Sequence, residues 1–133
     1  MKVQLNNEEI QQVILSILCN GALSFASQSG LDYSYDRQHY KRIKEENPTL
    51  TSFEDILLGM LNDGGKIQII DQEGGEDSEY NKDLTLKLAT DQLSNVTDPE
   101  FAEYVITSVR EEGDAETDYS ILQFILYDEI VFG

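Results

Sequence analysis

The sequence is poor in the residue types that carry covalent, metal or nucleic-acid chemistry. Its 133 residues include one cysteine (Cys19), one histidine (His39), two prolines and no tryptophan. A single thiol excludes an intramolecular disulfide and a zinc site built on cysteines. A single imidazole excludes a histidine cluster. Cations are also scarce, with nine Lys and Arg against twenty-six Asp and Glu, for a net charge of −17. That balance argues against non-specific binding to DNA, RNA or an anionic membrane, because polyanions repel the chain at range. No apolar run approaches the roughly 18 residues that cross a bilayer. The start of the chain, Met-Lys-Val-Gln-Leu-Asn-Asn-Glu-Glu, lacks the layout of a signal peptide. A soluble cytoplasmic protein is therefore expected. P-loop, dinucleotide-binding and nucleophile-elbow motifs are missing as well. The expectation is a protein that is not an enzyme and uses no metal or cofactor.

What is present is globular composition: 40% hydrophobic and 26% charged residues, in a length that suits one domain over 1–133. The charge is uneven. Residues 1–50 carry a net −1 and residues 51–133 a net −16. Neither part is long enough to bury a core alone, so the asymmetry predicts a polarised surface rather than two domains.

Local signals predict an α+β fold. Asn7 is read as the cap of a first helix that runs to about residue 25, with Ile10, Val13, Ile14, Ile17 and Leu18 on its buried face. Gly21 would allow close contact with a neighbour, and Cys19 falls on the apolar side as an inert buried thiol. Tyr33 and Tyr35 alternate with polar residues in a short extended segment. Asp36 caps a helix over 37–46, stopped by Asn47-Pro48. Thr51-Ser52-Phe53-Glu54 reads as a capping box for a third helix, ended by Asp63-Gly64-Gly65. A β-hairpin follows at about 66–84, with strands at 66–71 and 79–84. Residues 84–93 read as strand entering a helix capped by Thr85, and Asp98-Pro99-Glu100 starts another helix that ends at Gly113. Asp118 to Tyr127 is read as a last helix, and 129–133 as a terminal strand or docked tail. The predicted order is ααα-ββ-α-α-β, a small antiparallel sheet packed by four to five helices. The expected core includes Ile14, Ile17, Leu18, Phe53, Leu57, Ile70, Phe101, Val105, Leu122 and Phe124.

The ending Leu122-Gln123-Phe124-Ile125-Leu126-Tyr127-Asp128-Glu129-Ile130-Val131-Phe132-Gly133 resembles that of a loose group of small acidic phage and prophage proteins, roughly Leu-Gln-Tyr-Ala-Leu-Phe-Gly-Glu-Ile-Val-Tyr-Gly. The Phe53-to-Leu57 helix, the Gly64-Gly65 stop and the Ile-Asp strand leading to an acidic turn are similar too. Asp128 stands where that pattern has glycine. The resemblance implies a phage accessory product, a class often directed against host defence. It implies no mechanism.

Two surfaces are candidates for function. Four of the nine cations, Arg37, Lys41, Arg42 and Lys44, lie within eight residues, beside Tyr33, Tyr35, His39 and Tyr40. Cations among aromatic rings suit the phosphates and base of a nucleotide. The predicted ligand site is Tyr33, Tyr35, Arg37, His39, Tyr40, Lys41 and Arg42, completed by Arg110 or by a second subunit of a homo-oligomer. On this reading the protein binds and sequesters an anionic signalling nucleotide of host antiviral defence. The plainer reading is that Lys41–Glu45 and Arg42–Glu46 are ordinary helix pairs and that the cations contact the acidic remainder. The alternative function is an acidic DNA mimic that occupies a basic groove of a host defence enzyme through Glu100, Glu103, Glu111, Glu112, Asp114, Glu116 and Asp118. The acidic turn from Asp71 to Glu79 has oxygen ligands for calcium without the spacing of an EF-hand loop, and reads as a solvated hairpin tip.

Overall fold

Asn6 and Glu9 open the first helix by exchanging hydrogen bonds. The Asn6 side chain accepts from the Glu9 N–H at 2.8 Å, and the Glu9 carboxylate accepts from the Asn6 N–H at 3.0 Å. This reciprocal cap satisfies two orphan donors and starts helix α1 (Asn7–Cys19) one residue earlier than Asn7 as cap would. The computed structural model describes residues 2–19, 23 and 29–133. The expected extension of α1 to residue 25, with Gly21, therefore lies outside the described residues except for the buried Leu23. Ile10, Val13, Ile14, Ile17 and Leu18 are buried as their spacing predicts. Cys19 is exposed, not buried. It sits one step past the apolar stripe, on the flank that carries Gln12, Leu15 and Ser16 (i−7, i−4, i−3).

The remaining described elements are β1 (Leu31–Tyr35), α2 (Arg37–Glu46), α3 (Phe53–Asn62), β2 (Lys66–Asp71), β3 (Lys82–Thr85), α4 (Leu86–Leu93), α5 (Pro99–Val109) and α6 (Ala115–Tyr127). The fold is an α+β arrangement of six helices and one antiparallel sheet of order β1-β2-β3 among the described residues. The segment predicted as merely extended is a full strand. Leu31 pairs with Asp71 and Tyr35 with Ile67, so three strands form where a hairpin was expected. The predicted chain order is corrected accordingly, and it also loses its last strand. Residues 129–133 dock without a ladder because buried Gln123 takes over their backbone groups. Its Oε1 accepts from Val131 N–H at 2.8 Å and Phe132 N–H at 2.7 Å, while its Nε2 donates to Phe132 C=O at 3.0 Å.

Register decides which strand residues are inside. Leu31, Ile67, Ile69 and Leu84 are buried on one face; Asp32, Ser34, Gln68 and Asp83 are exposed on the other. Ile70, expected in the core, alternates onto the open face opposite Asp32 and is half-buried. Phe53, the first residue of α3, is also half-buried. The other eight expected core residues are buried. Helix α6 is buried continuously from Asp118 to Leu126 and packs on α5, α1, α4 and β3.

Several boundaries move by a few residues, each for a local reason. Ser52 caps α3, accepting from Asp55 N–H at 3.1 Å, in place of the box headed by Thr51. Strand β3 starts at Lys82 because the hairpin tip uses the preceding residues: Asn81 accepts from Asp71 N–H at 2.7 Å and donates to Gly75 C=O at 2.8 Å. Helix α5 ends before Gly113 because Glu111 itself takes the left-handed conformation, φ +59°. Asp114 then caps α6, three residues ahead of the predicted start. No helix among the described residues is long and apolar enough to cross a membrane.

Candidate functional site

The predicted ligand residues occupy β1 and the first two turns of α2. Asp36 joins these elements, its carboxylate accepting from the N–H groups of Gln38 (2.9 Å) and His39 (3.2 Å). That cap aims the helix start back across the sheet edge. Tyr33 and Tyr35 share a face of β1 and stack at 6.5 Å; Tyr35, Tyr40 and Phe53 meet at 5.5–5.7 Å. Burial pushes the Tyr33 and Tyr40 phenols up from their ordinary values. The Arg37 guanidinium lies over the Tyr35 ring, 5.5 Å from its centre. Three of the aromatic residues and one cation are thus brought together as expected.

His39 and Arg42 converge instead on a residue outside the predicted set. His39 Nε2 lies 2.9 Å from Asp63 Oδ2, and Arg42 Nη2 donates to the same oxygen at 2.6 Å. Arg42 Nη1 also donates to Glu46 at 3.2 Å. The Arg42 and His39 bonds hold the Asp63 carboxyl below the usual carboxylate range. Lys41 stands 4.0 Å from Glu45 on the outer side of α2, with both side chains largely exposed, and does not join the site. The plainer reading of these cations is therefore realised for Lys41 and Arg42. Arg110 is exposed at the end of α5, which packs on α1 and α6, so the described structure does not bring it to this cluster.

Beside the cluster, an open cleft of about 440 Å³ is bordered by Tyr35, Asp36, His39, Gly65, Lys66 and Gln68. Only Tyr35 and His39 of the seven predicted residues line it. A side chain at position 65 would strike the His39 ring, since an added Cβ would lie 2.7 Å from its Cε1. Gly65 therefore lets the imidazole seat on the turn. Gly64, φ +84°, makes the turn itself. On the far side of the same turn lies a more apolar hollow of about 570 Å³, bordered by Leu61, Leu86 and Thr90. Asp63, Gly65 and Lys66 were visible in the sequence only as a helix stop and a strand start. Their approach to α2 is tertiary, and the one available signal was a Lys directly after a Gly-Gly turn.

The acidic face is partly as predicted. Glu100, Glu103, Glu111, Glu112, Asp114 and Glu116 are exposed, but Asp118 is fully buried and accepts from the Ser16 hydroxyl at 3.2 Å. It cannot meet a partner there. Asp114 is engaged as a cap by the Thr117 N–H and hydroxyl, which hold its carboxyl below the usual range. In the hairpin tip, buried Asp71 turns inward to accept from the Ser78 hydroxyl at 2.7 Å and the Glu73 N–H at 3.1 Å. That carboxylate closes the turn. No group of three or more potential metal ligands clusters among the described residues. No protein-family model, curated protein or solved structure matches the chain.

Proposed function

We propose that the protein is a non-enzymatic binding protein that takes a small anionic nucleotide into the cleft between β1, the start of α2 and the Gly64–Gly65 turn, and holds it unchanged. The observation that carries this reading is one cleft of about 440 Å³ where Tyr35, bearing Arg37 on its ring, meets His39 and Lys66. A space of that size suits a ligand on the scale of a nucleotide. The aromatic ring supports a base, and the cations support phosphate. Asp63 and Asp83 are the internal competitors: Asp63 already occupies Arg42 and His39, and Asp83 lies 3.4 Å from Lys66 Nζ. The similarity of the C-terminal ending to small phage proteins supports a ligand that signals in host antiviral defence, sequestered in the host cytoplasm. A homo-oligomer would close the open side of the cleft.

The test is calorimetric titration with cyclic nucleotides, cyclic dinucleotides and ADP-ribose derivatives. One class should bind saturably and be recovered chemically intact after the protein is denatured. Arg37→Ala should weaken binding about tenfold or more. Asp63→Asn, which releases Arg42 and His39 from a charged competitor, should tighten it. A cleaved product would overturn the non-enzymatic reading. The exposed acids of 100–116, interrupted by the single cation Arg110, favour the DNA-mimic reading as the second one. Reversing Glu111, Glu112 and Asp114 to lysine should leave protection of a defence-sensitive phage intact under the first reading and abolish it under the second.

A further inference from the structure

A different cleft, of about 410 Å³, opens where α1 runs beside the end of α5, and it is bordered by Gln12, Leu15, Ser16, Cys19, Ser108 and Glu111. It shares no residue with the cleft at β1. Ser108 is 4% exposed, and its hydroxyl has no hydrogen-bond partner among the described residues. A buried polar group left so is uncommon, and a ligand that pairs with it removes a desolvation cost. Among the described residues, the border contains no Lys, Arg or His. The Glu111 backbone is held beside Ser108 by its N–H bond to the Ser108 C=O at 2.9 Å, in the left-handed conformation. Behind Ser16 lies the buried carboxylate of Asp118. Gln12 Nε2 donates one of its two N–H groups to Val109 C=O at 3.3 Å. The one charge on the described walls is therefore a carboxylate, beside hydroxyl and amide oxygens that can accept, with Leu15 adding apolar surface.

We propose that this cleft binds a small organic cation with an ammonium or guanidinium group, Glu111 serving as its counter-ion and Ser108 Oγ as an acceptor. An ammonium or guanidinium group brings several N–H donors and no acceptor, which matches these walls. An anion would meet Glu111 and, behind Ser16, Asp118. The buried Ser108 hydroxyl beside Glu111, rather than the overall acidity of the chain, makes the site specific.

The experiment is titration of the full chain with agmatine by calorimetry at about 150 mM salt, where long-range attraction is screened. One saturable site per chain is expected. Ser108→Ala should weaken it about fivefold, and Glu111→Gln about tenfold. The double variant Glu100→Gln/Glu103→Gln, on the same acidic face but outside the cleft, should bind like the parent. Alkylation of Cys19 with N-ethylmaleimide should block binding by filling the cleft, with the circular dichroism spectrum unchanged. Absence of binding would overturn the proposal. So would retention of binding in the alkylated protein, or a loss in the Glu100/Glu103 variant equal to that in Glu111→Gln, which would mark counter-ions gathering on an anionic surface.

Discussion

Asp128 stands at a left-handed position, φ +62°, directly after α6. Glycine fits such a position without strain. Aspartate tolerates the conformation better than most side chains do, and here its carboxylate also accepts from Gln92 Nε2 at 2.5 Å. The same Gln92 amide donates to the Phe124 and Ile125 carbonyls at 3.1 and 3.3 Å, so it caps the end of the helix. Asp128→Val should cost about 1–2 kcal/mol in chemical denaturation, whereas Asp128→Gly should stay within about 0.5 kcal/mol of the parent. Tyr127, one residue earlier, donates to Tyr80 C=O at 2.6 Å, and burial pushes its phenol up to about 12. An acid whose folded value is raised keeps its proton in the native state and loses it on unfolding. Its contribution is therefore complete below about pH 10 and is lost between about 10 and 12. Stability should fall by on the order of 1–2 kcal/mol across that window, and Tyr127→Phe should flatten the fall.

At the scale of elements, legibility followed locality. Asp36, Thr85 and Asp98 were readable as caps because capping is settled within three residues, and the strand at 66–71 was readable from its alternation. Strand β1 was only half legible: Tyr33 and Tyr35 alternate, but the pairing of Leu31 with Asp71 is set by a partner forty residues away. Ile70 was misplaced because three apolar residues within four positions, Ile67, Ile69 and Ile70, do not by themselves reveal which two face inward. Helix α1 is the firmest case, since five residues at helical spacing are all buried. Leu18 is 5% exposed. Leu18→Ala should cost roughly 2–5 kcal/mol in urea denaturation, and a loss within about 0.5 kcal/mol would contradict the assigned face.

On the scale of the whole molecule, a net charge of −17 surrounds one region where cations and aromatic rings were concentrated in sequence and part of that concentration persists in space. Tyr33, Tyr35, Tyr40 and Arg37 were legible as a group because strand and helix adjoin in the chain. Asp63 and Lys66 were not, because the α3–β2 turn reaches α2 only through tertiary packing, at Gly59 and Gly65. That turn converts a row of cations into a cleft with an internal counter-ion. The measurement that tests this most directly is an amide chemical-shift map of the labelled protein with a saturating nucleotide of the class that binds. The amides of Tyr35, His39, Gly65 and Lys66 should shift, with those of residues 100–116 unmoved. Shifts confined to 100–116, or none under any nucleotide, would contradict a nucleotide site at β1.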